Sequence, residues 1–447
     1  MRKRTIENIY RINSMSRVKG LSVTTDSDGN TYVLGQFFRN MFAGNIYQES
    51  TESAVFIAQL SSGSGTWKWS TIIHEYSGDN NFTVSGEIIY HQGFLYSAII
   101  IDNRGLVVKT NRSGIVQYSK SFTGTNLESL IRISLDKADN LYLVNTFSGT
   151  LTFHPHTLSS VSMSGYVTKV SPTGEFLWVR SVETGGSLSS TETTENNIGG
   201  STLNDIVTSL DGTSYVIGRF TGTIILGNMI VEGRLNNPMD FLLAEIDTKG
   251  FWTRLKAFPN GQGTGIDRDK EGNLYIVGGF MNQFKLGGSK IKSEGINLFV
   301  AKLDTELLVD WVVSTKYDTD IARNVVNIVV DNNNNSDSNN NNSYINGFFN
   351  QPISFGHNVL TPPSANSNNN VCEQEGFKTS EFVAKLSEEG NWLGSYQIDG
   401  IDSTANSKNL AVNDSVWVTG GFGEKLEVKR ETEYTPKTSL FLIQSTL

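Results

Sequence analysis

Carboxylates alternate along Asp267-Arg268-Asp269-Lys270-Glu271-Gly272-Asn273, the kind of segment in which several oxygens converge on a calcium ion. Asp26-Ser27-Asp28-Gly29-Asn30 has the same character. Neither segment carries a bidentate glutamate at the spacing a calcium loop uses. The same residues suit a hairpin turn, where Asp and Asn cap the backbone and Gly takes positive φ. The turn is the preferred reading. Calcium at Asp267, Asp269 and Glu271 is the alternative, and no other metal or cofactor is expected. Of five histidines, only His154 and His156 lie close together, and two imidazoles lack the third ligand that a zinc centre needs. Cys372, the one cysteine, stands in Asn-Asn-Asn-Val-Cys-Glu-Gln-Glu with no base or cation beside it to make a thiolate. No Ser–His–Asp set, phosphate-cradling glycine loop or basic nucleic-acid stripe occurs, so no catalytic residues are assigned.

The elements that must position any site are repeated ones. A chain of 447 residues exceeds what one ordinary core supports, which leaves several domains or a repeat architecture. An aromatic–apolar–apolar–Gly–x–Phe pattern follows an acidic or Asn-rich turn at Tyr32, Tyr142 (with Asn145 in place of Gly), Tyr215, Tyr275, Tyr344 and Trp417, with a divergent copy at Tyr96. A second pattern follows each, as in Phe299-Val300-Ala301-Lys302-Leu303. Its long polar residue falls at Gln59, Lys109, Lys169, Glu245, Lys302, Lys385 and Gln444. These seven residues are read as a solvated edge or as hydrogen bonds to a neighbouring unit, because their identity changes too much for a shared ligand. Each unit thus holds four short runs rich in Val, Ile, Phe and Tyr, punctuated by Gly, Asn and Asp, and no sustained 3.6-residue period appears.

Four antiparallel strands repeated seven times predict an all-β fold, a single seven-bladed β-propeller spanning residues 1–447. The seventh unit lacks an outer strand, and Ile9 to Ser14 resembles one. Residues about 6–15 are therefore expected to pair with about 438–445 and close the last blade, removing an exposed edge. Three insertions, 183–201, 332–342 and 358–380, are expected to be flexible loops, the first and third on one face. On the innermost strands, Asp205, Asp267 and Asn327 are the polar candidates for binding at the mouth of a central channel.

The unit Asp–x–x–Gly–Asn–x–Tyr–x–x–Gly–x–Phe, followed by Phe–Val–Ala–Lys–Leu–Asp and a later Trp, resembles the SBBP-type β-propeller repeat. Asp269 through Trp311 is the nearest copy, and the second unit departs most. The resemblance implies a propeller and carries over no catalytic residue, because fold does not fix function. The expected function is a noncatalytic binding or structural propeller presenting loops to a protein or glycan. The alternatives are a hydrolase or lyase at the channel mouth, and a virion or surface structural component. A formal charge of −9 disfavours nucleic acid and anionic lipid as partners. No signal peptide or membrane span is evident, so an intracellular or virion-associated location fits.

Overall fold

The computed structural model describes residues 6–77, 84–185, 199–234, 240–317, 326–332, 341–363, 380–401, 408–428, 431–434 and 439–447. Among them every regular element is a β-strand, and no helix is long and apolar enough to cross a membrane. Strand pairing is antiparallel throughout and falls into four-stranded units. Unit 1 comprises Arg17–Thr25, Thr31–Ala43, Ile46–Leu60 and Trp67–Tyr76. Unit 2 comprises Ser85–His91, Phe94–Ile101, Arg104–Asn111 and Val116–Leu127. Unit 3 comprises Arg132–Leu135, Leu141–Phe153, His156–Val170 and Phe176–Ser181. Unit 4 comprises Gly200–Thr208, Ser214–Thr221, Asp240–Ile246 and Trp252–Pro259. Unit 5 comprises Gly261–Arg268, Leu274–Leu286, Ser289–Leu303 and Val309–Ser314. Unit 6 comprises Asn327–Val330, Ser343–Phe349, Ser380–Leu386 and Trp392–Ile401. Unit 7 comprises Leu410–Asn413, Ser415–Val428 and Ser439–Ser445, and its fourth strand is Ile6–Asn13 from the other end of the chain, paired from Ile6↔Ser445 to Asn13↔Ser439. Units 6, 7 and 1 run on into one thirteen-stranded sheet and units 2 and 3 into one of eight; units 4 and 5 are separate, and no sheet closes on itself.

The repeated residues have defined jobs. Asp26 Oδ1 accepts the amides of Asp28 and Asn30, each at 2.9 Å, while Oδ2 accepts the Asn30 side chain at 3.0 Å and the Tyr32 hydroxyl at 2.8 Å. Asp136 does the same for Ala138, Asn140 and Tyr142. The acidic turn therefore locks the first strand to the second through one side chain. The aromatic of the first pattern and the long polar residue of the second are direct cross-strand partners in all seven units, from Tyr32↔Gln59 to Trp417↔Gln444. Where that residue is Lys, its ammonium lies 4.9–5.2 Å from the partner ring, a cation–π pair. The fourth-strand Trp then latches onto the next unit: Trp69, Trp178 and Trp311 donate to the carbonyls of Arg112, Thr248 and Glu388.

A third repeated feature escapes the sequence patterns above. Gly44, Gly227, Gly287 and Gly356 each follow the aromatic of their unit by twelve residues and open a two-residue hairpin turn at φ near +60°. These turns tip a hairpin extension of the second and third strands, which lies on the outer strand of the preceding unit. Leu151 and Thr152 of unit 3 pair with Gly124 and Thr123 of unit 2. Thr223–Leu226 of unit 4 pairs with Glu183–Gly185, and Ile353–Phe355 of unit 6 with Lys316–Tyr317. Phe42 of unit 1 faces Asn13, and Val428 of unit 7 faces Ile398 of unit 6. In unit 5 the contact runs through Asn260, whose carbonyl accepts the amide of Met281 at 3.1 Å and whose Nδ2 donates to Gln283 O at 2.8 Å.

Two of the expected loop insertions are shorter than their sequence bounds suggested. Glu183–Gly185 and Asn358–Leu360 are strands of three-stranded sheets, and the first strand of unit 4 already begins at Gly200. Backbone groups there find strand partners, which composition alone does not reveal. The remainder of these two insertions, and most of 332–342, lie outside the described residues, as does Cys372.

Candidate functional site

The first strand of each unit is its innermost. These strands touch in chain order from unit 1 to unit 7, and Arg17–Thr25 also touches Leu410–Asn413. One edge of each such strand has no neighbouring strand, so its amides need other acceptors. In units 1, 2 and 4 the residue facing the position two past the repeated aromatic supplies one. Across the units it is Ser22, Glu87, Arg132, Asp205, Gly265, Asn327 and Asn409. Ser22 Oγ accepts the amide of Ile88, Glu87 Oε2 that of Ile133 at 2.8 Å, and Asp205 Oδ2 that of Ile266 at 2.9 Å. Two residues further along, Thr24, Ser134 and Asp267 accept the amides of Tyr90, Thr208 and Val330 in the same way. Units 1 to 5 thus each cap the one after them.

Arg132, at the same position, cannot accept. Its guanidinium donates to Asn327 Oδ1 at 3.0 Å, on the strand three units away, and sits 4.0 Å from Asp205 Oδ1; it is 1% exposed. Asp205 Oδ1 accepts its own neighbour's amide, Ile206, instead. Lys408 enters from the start of unit 7, its ammonium 3.9 Å from Glu87 Oε1. Burial works against that ammonium, but the carboxylates of Asp205, Glu87 and Asp267 outweigh it and hold its pKa above the usual lysine range. Burial pushes Glu87 up to about 7 against the pull of Lys408 and Arg132, and Asp267 is raised above the usual carboxylate range by the same cause.

Beside this lies an amide cluster. Asn327 Nδ2 donates to Asn346 Oδ1 at 3.1 Å, and Asn346 Nδ2 to Asn409 Oδ1 at 2.8 Å. Both Asn346 and Asn409 donate to Glu381 Oε1. Glu381 is fully buried, its Oε2 has no partner, and desolvation raises it to about 8 despite those two amides. It occupies the position that holds Val55, Phe241, Leu298 and Leu440 in other units.

Of the sequence candidates, Asp205 and Asn327 are brought together through Arg132, whereas Asp267 stands two residues off that level and caps Val330. The carboxylates of the acidic turn part company: Asp267 faces unit 6, Asp269 binds Asn273 within its own turn, and Glu271 accepts from Asn341. Among the described residues no three His, Cys, Asp or Glu are grouped to hold a metal ion. His154 and His156 flank a hairpin turn, where His156 meets the carbonyl of Phe176. Sequence reading missed Glu87, Arg132, Lys408, Asn346, Glu381 and Asn409. A signal existed for three of them: Arg132 lies ten residues before its aromatic, as Ser22 and Asp205 do, while Asn346 and Glu381 place polar groups where other units are apolar. What the arrangement can do chemically is bind inner strands together and exchange protons at two buried glutamates.

The sequence matches no protein-family model and no curated protein. Among solved structures the chain is similar to the endosialidase of phage phi92, at 10% identity and a TM-score of 0.41 over 98% of this chain and 69% of that one. It is also similar to a member of the DUF4221 family from Bacteroides vulgatus, at 10% identity and 0.40 over 99% and 98%. An apocarotenoid oxygenase mutant from Synechocystis follows at 9% identity and 0.37, over 98% and 93%. At these scores the likenesses carry no argument about activity or ligand.

Proposed function

We propose that the chain is a seven-bladed β-propeller of SBBP-type repeats, closed by its N-terminal strand, and that it serves as a noncatalytic binding or structural scaffold. The cyclic contact of the innermost strands and the reach of Arg132 and Lys408 across them support the ring. The observation that carries the functional reading is the use made of the axial polar residues. Glu87, Asp205 and Asp267 are committed to backbone amides of the next unit, and Arg132 and Lys408 offset their charge. A carboxylate that swung out to meet a substrate would forfeit its cap, and a buried amide left without a partner costs about 1–3 kcal/mol. Asp205, Asp267 and Asn327 are thus read as struts, and partner binding falls to the hairpin face and its insertions.

The partner classes are a protein or a glycan. The test is a glycan array and a pull-down with the full chain, alongside variants lacking 186–198 and 364–379. Binding by the full chain that both deletions abolish supports the reading. Hydrolytic turnover of an arrayed glycan that Asp205→Asn and Glu87→Gln abolish, without loss of the fold, would overturn it.

A further inference from the structure

Among the described residues six units lay a hairpin extension on the outer strand of the unit before them, and unit 2 does not. Its second strand turns straight back at Asp102 and Asn103, with Ile101 paired to Arg104. Among the described residues the outer strand of unit 1, Trp67–Tyr76, consequently pairs on one side only, with Ile46–Leu60. At the equivalent place one unit on, Thr123 is paired on both sides, with Arg104 and with Thr152 of the next extension. Where the missing hairpin would lie there is a cleft of about 810 Å³, lined by His74, Glu75 and Tyr76 of that outer strand and by Asp102 and Arg104 of the short turn.

We propose that this vacant seat takes an extended peptide segment of a partner protein, which adds to the free edge of Trp67–Tyr76 as the hairpins of the other units add to theirs. The inference rests on the scaffold reading above and names its partner class. Strand addition to an open edge draws affinity from main-chain hydrogen bonds and specificity from alternate side chains. The filled seats show which side chains fit: each guest strand buries two apolar residues at alternate positions, as Leu151 with Phe153, Ile224 with Leu226, Phe284 with Leu286, and Ile353 with Phe355. Tyr76 and Ile101 supply the apolar floor here. Glu52, Glu75 and Asp102 outnumber Arg104, and burial together with Arg104 holds His74 below the usual histidine range, so the seat favours a guest with basic residues beside its apolar pair.

The probe is a synthetic peptide carrying residues 148–153 of this chain with a lysine at each end, titrated into the full chain by fluorescence anisotropy. Saturable binding is expected, with slowed amide exchange at 74–76. Inserting the unit 3 hairpin, residues 149–160, between Asp102 and Asn103 fills the seat and should weaken binding at least about tenfold. Glu75→Lys with Asp102→Lys should weaken the lysine-flanked peptide by a similar factor while sparing a glutamate-flanked one, which keeps the test valid should the insertion misfold. No saturable binding up to millimolar peptide, or binding that the charge reversal leaves unchanged, overturns the proposal. A concentration-dependent dimer that the insertion abolishes would overturn it too, by assigning the seat to a second copy. Glycan or protein capture retained by the insertion variant leaves the scaffold reading standing by itself.

Discussion

Replacing Glu381 by Gln preserves the shape of the side chain and its acceptor for Asn346 and Asn409, and removes only the ionisable proton. The glutamate is wholly buried between units 6 and 7 with one oxygen unpartnered, and its pKa rises from the ordinary 4.5 to about 8. A group whose value is raised by folding binds a proton more tightly in the native state. Its contribution is therefore complete below about pH 4.5, declines as pH rises, and is gone above about pH 8. At 1.36 kcal/mol for each tenfold change, the whole difference is roughly 5 kcal/mol, of which roughly 4 falls between pH 5 and pH 9. Urea unfolding of both proteins at those two pH values measures it. The two should be of similar stability at pH 5, and the variant should be ahead by roughly 4 kcal/mol at pH 9. If the loss of stability from pH 5 to pH 9 is the same in both, Glu381 is not a buried acid whose proton is held by desolvation.

Glu87→Gln should remove a second component of the same sign whose upper end lies near pH 7, so the double variant with Glu381→Gln should show a flatter profile from pH 5 to pH 9 than either single variant in the same unfolding series. Arg132→Ala leaves Asp205 and Asn327 without their cation and should cost about 3–5 kcal/mol in urea unfolding at pH 7; a cost under about 1 kcal/mol would mean the guanidinium is not paired as described. Deleting residues 1–14 strips unit 7 of its fourth strand and bares the edge of Ser439–Ser445. The shortened chain should self-associate in sedimentation runs, and a peptide of residues 1–16 added in trans should reverse it.

The repeat was legible because its residues act locally. Asp26 and Tyr32 are joined by a hydrogen bond six residues apart, and the pairing of Tyr142 with Lys169 follows from strand alternation once both patterns are seen. The contacts between inner strands were not legible, since they join residues far apart in the chain: Arg132 to Asn327, Glu87 to Lys408. Position alone marks those residues, while identity varies from Ser to Glu to Arg, and in unit 6 the segment 332–342 shifts Asn327 to seventeen residues before Tyr344. Asp205 and Asn327 were found because they are conspicuous in apolar strands. Glu87 escaped because unit 2 lacks the Gly–x–Phe ending that fixes register elsewhere. The twelve-residue interval from Tyr32 to Gly44 was present in the sequence, but only the turn geometry gives it meaning.

Because the inner strands of units 1 to 5 each shield an amide of their successor, the units form an ordered series with a direction. Arg132 offers no acceptor to the strand after it; its cation faces Asp205 there, whose Oδ1 also accepts the amide of its own neighbour. A copy of unit 3 spliced in twice would set two arginines in sequence, with only one aspartate to answer them. Permuting the termini keeps every neighbour and should be tolerated, whereas exchanging two units should not, although any two of them look alike in outline.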